Sequence, residues 1–144
     1  MEEPIEYPID GACQCGQIRY KVHALPLWVG VCHCTECQKL SASAFSIKLV
    51  LSSSALEVSG EEAHWERLSN NGNRNIAHFC PTCGNRIYHS NPDEPDIVRL
   101  KGGTLPDTRI VKPTAHIWTS EKQDWVVIPD DVDQFETQPG RPEE

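Results

Sequence analysis

The sequence predicts a mainly β fold, and three observations predict it. Apolar and β-branched residues recur in short runs, turn-forming residues separate those runs, and only one brief stretch has helical character. Residues 17–23 alternate polar with apolar side chains, as a half-buried strand does. Residues 28–32 and 45–51 are richer in apolar residues, which suits strands covered on both faces. Shorter runs follow at 56–59, 63–68, 76–79, 87–89, 97–100 and 115–118. Asn70-Asn71-Gly72-Asn73, Asn91-Pro92-Asp93, Gly102-Gly103 and Leu105-Pro106-Asp107 supply the turns between them. The helix is expected at 36–40, directly after Cys32-His33-Cys34.

A chain of 144 residues fits one domain, and no internal repeat divides it. We expect an amino-terminal arm at 1–10, a folded domain at 11–135 and a flexible acidic tail at 136–144. The formal charge of −8 and the lack of any Lys/Arg run argue against a nucleic-acid partner. No apolar run approaches the ~20 residues that span a bilayer, so no membrane partner is expected. The start Met-Glu-Glu-Pro-Ile-Glu-Tyr-Pro lacks a basic region followed by an apolar stretch, and a cytoplasmic location is expected. Asp93, Glu94 and Asp96 read as a surface charge cluster, and Trp28, Trp65, Trp118 and Trp125 as core or cleft-wall residues. No Walker loop, His-Glu-x-x-His or nucleophile elbow occurs.

The chemistry lies in the seven cysteines, Cys13 and Cys15, then Cys32, Cys34 and Cys37, then Cys80 and Cys83. An odd count at Cys-x-Cys and Cys-x-x-Cys spacing points to metal rather than to a disulfide scaffold. In extended chain, residues i and i+2 face one side, so Cys13 with Cys15, and Cys32 with Cys34, can aim at one ion each. Cys34 and Cys37 share one side of a helical turn. Cys80-Pro81-Thr82-Cys83-Gly84 has the form of a zinc knuckle, with proline fixing φ early and glycine free to take φ > 0 after the last ligand. Seven thiolates divide into a closed four-sulfur structural site of Cys13, Cys15, Cys80 and Cys83, and a three-sulfur site of Cys32, Cys34 and Cys37 with one position open. Two Zn²⁺ per chain are expected. The alternative is a second structural centre, closed by a histidine or carboxylate.

With their neighbours, these cysteines resemble the family of glutathione-dependent formaldehyde-activating enzymes, which includes centromere protein V. The resemblance rests on Gly11-Ala12-Cys13-Gln14-Cys15-Gly16 with Ile18-Arg19-Tyr20, on Cys32-His33-Cys34-Thr35-Glu36-Cys37, and on Phe79-Cys80-Pro81-Thr82-Cys83-Gly84. Gly103-Thr104-Leu105, His116-Ile117-Trp118 and Trp125 resemble its later landmarks. The chain departs from the family pattern at Ser41-Ala42-Ser43, where a Thr-Gly-Ser-like turn is frequent, and at Ala77-His78, where an arginine is common. The resemblance implies a β-tent fold of antiparallel sheets stapled by the Cys₄ zinc, and the same division of ligands. It also implies a carbon–sulfur lyase that combines formaldehyde, or a related aldehyde, with glutathione to give S-hydroxymethylglutathione. The competing reading is a non-catalytic, zinc-stabilised module that binds a thiol or a protein. No general acid or base is singled out; His33 and His116 are the imidazoles to consider.

Overall fold

The computed structural model describes residues 3–69 and 71–139; Asn70 of the expected turn, residues 1 and 2 of the arm, and 140–144 of the tail lie outside the described residues. In chain order the strands are β1 (Ile9–Ala12), β2 (Arg19–Val22), β3 (Trp28–Cys32), β4 (Ser46–Ser52), β5 (Leu56–Ser59), β6 (Ala63–Leu68), β7 (Arg74–Phe79), β8 (Arg86–Ser90), β9 (Ile97–Lys101), β10 (Ala115–Ile117) and β11 (Asp133–Gln134). The helix α1 (Thr35–Ser41) follows β3. A three-stranded sheet has the order β1-β2-β5, and an eight-stranded sheet has the order β11-β10-β3-β4-β9-β8-β7-β6. This is the mainly β, two-sheet architecture expected of a β-tent.

Alternation in the sequence becomes packing between the sheets. Ile18, Tyr20 and Val22 from the small sheet's side meet Leu49, Leu51, Ile87 and Leu100 from the large sheet, and Cys13 and Cys80 belong to the same buried cluster. Burying a side chain of the Leu or Ile class stabilises by roughly 1.5–3 kcal/mol, so this shared core holds the sheets together. A smaller cluster of Cys32, Cys34 and Ile117, flanked by Trp28 and Trp118, lies where β3 leads into α1.

The structure departs from the sequence reading at β1, at the entry of β10 and at two of the tryptophans, among other places. Ile9–Ala12 forms a strand, with Ile9 opposite Val22, although its Ile-Asp-Gly-Ala sequence has no strand pattern. The large sheet is mixed, because the chain after β9 crosses over through 3-10 turns at Gly102–Thr104 and Thr108–Ile110, and β10 enters parallel to β3. Trp65 and Trp125 are exposed; Trp65 lies beneath the Arg86 guanidinium at 5.8 Å, and Trp125 donates to Gln123 Oε1.

Candidate metal centres and the adjoining cleft

Two turns bring the first sulfur group together. After β1 the chain reverses at Cys13–Gly16, where the Gly16 N–H donates to the Cys13 carbonyl at 3.1 Å. After β7 it reverses at Cys80–Gly84, where the Gly84 N–H donates to the Cys80 carbonyl at 2.8 Å. Both glycines take φ values L side chains rarely adopt, +83° at Gly16 and +77° at Gly84, which turn the chain away just past each pair of thiols. Cys13 and Cys15 thus converge from a turn rather than from one face of a strand.

The four sulfurs of Cys13, Cys15, Cys80 and Cys83 all lie within 4.8 Å of one another. The Cys13–Cys15 and Cys15–Cys80 sulfur separations are 3.6 and 3.7 Å. Zinc–thiolate bonds of 2.3 Å in a tetrahedron give an edge of ~3.8 Å, so the donor set fits that ion. The surroundings suit thiolates as well. The Ile18 N–H points at Cys13 Sγ, and the N–H groups of Thr82 and Cys83 and the Gln17 amide point at Cys80 Sγ, at 3.3–3.4 Å. Against the upward pull of burial, those donors to Cys80 bring its thiol down to about 6.

Cys32 ends β3, Cys34 caps α1 and Cys37 sits one turn into the helix; their three sulfurs also lie within 4.8 Å of one another. The Cys37 N–H donates to Cys34 Sγ at 3.1 Å. Among the described residues, no His, Asp or Glu offers a ligand atom within that distance of all three sulfurs. Hydrogen bonds from Cys32 and Cys34, then the charges of Lys48 and Lys101, bring the Cys37 thiol down to about 3. The same shared protons, with burial, push Cys32 up. The cluster therefore loses its first proton readily and its last with difficulty unless a cation takes its place.

The triplet lines a small open cleft of ≈ 100 Å³. Among the described residues, Lys48, Arg67, Arg74 and Arg99 bring four basic groups to this cleft and Glu94 is the carboxylate in its lining, while Arg74 is also paired with Glu66 at 2.8 Å. Trp118, held at φ 57°, and Gln138 complete the wall near the sulfurs, with the indole N–H donating to Gln138 Oε1 at 3.1 Å. Sequence reading missed this cationic concentration, since the basic residues come from four strands and no two are adjacent in the chain. Glu94, read as surface charge, lies in the cleft beside Arg99 at 3.9 Å.

His33 and His116 lie elsewhere. Their rings stack, with His33 Nε2 and His116 Nδ1 2.8 Å apart, and neither lines the cleft. Burial and then the His116 and Lys122 charges lower His33 to about 4. Instead His89, on β8, is the imidazole that reaches the cleft wall; it is 5% exposed and its Nε2 has no hydrogen-bond partner among the described residues. Burial, then the charges of Lys101, Arg86, Lys48 and Arg67, bring His89 down to about 2.

An unfolded histidine titrates near 6.5, so below that pH the unfolded chain binds a proton at residue 89 that the folded chain refuses. Stability from this group is present above pH 6.5 and is lost as pH falls toward 2, by about 1.4 kcal/mol per unit. We predict that the thermal midpoint of wild type falls more steeply between pH 7 and 5 than that of His89→Gln; parallel curves would refute a buried neutral His89.

At Ala42, just past α1, the backbone is left-handed at φ 50°, a conformation that glycine adopts without strain.

Residues 8–121 match the family described as glutathione-dependent formaldehyde-activating enzyme. No curated protein matches the chain. A crystal structure of a Rhodobacter sphaeroides protein superposes with a TM-score of 0.54 at 20% identity, covering 68% of this chain and 88% of that one, which shows a common fold.

Proposed function

The chain belongs to the glutathione-dependent formaldehyde-activating enzyme family, and from that membership we propose that it is a zinc-dependent carbon–sulfur lyase of the S-(hydroxymethyl)glutathione synthase type. Its substrates are glutathione, or another small anionic thiol, and formaldehyde or a related aldehyde. The observation that carries this reading is a three-sulfur cluster, with no fourth ligand from the described residues, at one end of a cleft walled by basic side chains. A closed structural centre would have no such cleft to serve.

In this reading Cys13, Cys15, Cys80 and Cys83 hold a structural Zn²⁺, and Cys32, Cys34 and Cys37 hold a second. When bound, that second ion supplies acidity, since a free thiol of pKa ≈ 8.5 is only a few per cent ionised at pH 7. The protein's residues do the rest. Arg67, Arg74 and Arg99 attract the carboxylates of the thiol substrate and orient its sulfur toward the triplet. The thiol sulfur then adds to the aldehyde carbon; a C–S bond forms, the C=O π bond breaks, and the proton lost from sulfur ends on the new hydroxyl. Lys48 lines the cleft and its charge acts on both Cys32 and Cys37, and we assign it to stabilise the negative charge that develops on the aldehyde oxygen. Formaldehyde also adds to thiols without help, so positioning and charge stabilisation account for the acceleration.

The test is the exchange rate between ¹³C-formaldehyde and its glutathione adduct, read by NMR at equilibrium. We expect protein to raise it above the uncatalysed rate, and Lys48→Met to reduce the protein's contribution by about a hundredfold. Exchange no faster than in buffer would overturn the enzymatic reading. An unchanged maximal rate in Lys48→Met with a weakened apparent affinity would place Lys48 in thiol binding alone.

A further inference from the structure

A third ligand cluster lies apart from both cysteine groups. Glu62, just before β6, His64 on β6 and His78 on β7 present a carboxylate oxygen and two imidazole nitrogens within 4.8 Å of one another. Strand pairing builds it. His64 and His78 are direct partners across β6 and β7, and Tyr88 of β8 continues the row opposite His78. Side chains so paired stand side by side on one face of a sheet. The two imidazole rings meet edge to face at 4.8 Å, and the Tyr88 ring stacks flat on His78 at 4.0 Å, which fixes the plane of the His78 ring.

The hydrogen bonds around His78 set its two nitrogens to different tasks. Nδ1 faces Glu62 Oε1 at 3.1 Å, and Nε2 faces Ser90 Oγ at 2.7 Å. A serine hydroxyl donates or accepts, so His78 can carry its proton on Nε2, give it to Ser90, and leave the Nδ1 lone pair free beside the carboxylate. Metal-binding histidines are held in this way, with the far N–H given to an oxygen. Glu62 and His78 are half-buried, while His64 is exposed on the outermost strand of the large sheet, so an ion has an open approach.

We propose that Glu62, His64 and His78 form a third metal site, which takes a divalent first-row transition ion through two imidazoles and one carboxylate. The donor set is nitrogen and oxygen, chemically distinct from the all-thiolate groups, and suits Zn²⁺, Co²⁺ or Ni²⁺. Its position gives it a consequence. The cluster sits at the base of the β6–β7 hairpin, whose other end carries Arg67 and Arg74 into the cleft. An ion there ties the hairpin's two strands together and stiffens that wall.

The test adds Ni²⁺ to the protein as purified, its zinc content followed by mass spectrometry, and reads the histidine Cε1–H signals by NMR. One equivalent is expected to broaden the His64 and His78 signals and leave His23 sharp, with zinc unchanged. His64→Ala, at an exposed position, and Glu62→Gln, which preserves shape, should each weaken Ni²⁺ at least tenfold. The proposal is overturned if neither substitution changes affinity, if all histidines broaden alike, or if Ni²⁺ displaces zinc and shows sulfur-to-metal absorption while His64 stays sharp. None of these outcomes depends on the activity of the cleft.

Discussion

Cys83→Ser is expected to abolish the cooperative thermal transition and to release the zinc ion proposed for the four-sulfur group, as measured by circular dichroism and metal analysis. Cys83 belongs to the four-sulfur group that joins the turn after β1 to the turn after β7, and Cys13 and Cys80 of that group are packed in the core between the sheets. A structural zinc in small domains contributes an apparent ~10–16 kcal/mol to folding, whereas a whole domain is stable by only about 5–15 kcal/mol. Replacing one thiolate by a hydroxyl removes enough of the first quantity to exhaust the second. A native transition in Cys83→Ser would mean that the apolar core alone holds the two turns together.

Cys34→Ser should do the opposite, with loss of chemistry and survival of the fold. The reason is local. Cys34 is the N-cap of α1 and its sulfur accepts the Cys37 N–H, a task that serine performs at least as well. The helix start therefore persists while the triplet loses a thiolate. We predict release of one zinc ion, a fall in the protein's contribution to adduct exchange by about a hundredfold or more, and a thermal midpoint close to that of wild type. Collapse of the domain would show instead that this centre is structural.

Much of this was legible in the sequence, because thiol spacing constrains geometry even when the strand pattern is weak. Cys80-Pro81-Thr82-Cys83-Gly84 announced a turn that needs positive φ at Gly84, and the backbone has it. The helix after Cys34 was legible for the same reason. What escaped depends on contacts distant in sequence. β1 is recognisable only through its pairing with β2, since Asp10 and Gly11 carry no strand propensity. The parallel entry of β10 is set by the crossover, which composition does not encode. The basic wall of the cleft draws Lys48 from β4, Arg67 and Arg74 from the β6–β7 hairpin and Arg99 from β9. In a chain with a formal charge of −8, such a patch exists only once the strands are aligned.

In the proposed function the Cys32, Cys34 and Cys37 centre keeps one position for the sulfur of a substrate. X-ray absorption at the zinc edge tests it directly, recorded on the protein with and without glutathione. Glutathione should raise the mean sulfur coordination of the bound zinc in wild type and leave it unchanged in Cys34→Ser. If wild-type zinc gains no sulfur, and nitrogen or oxygen donors from the chain already complete its coordination, the centre is closed and purely structural.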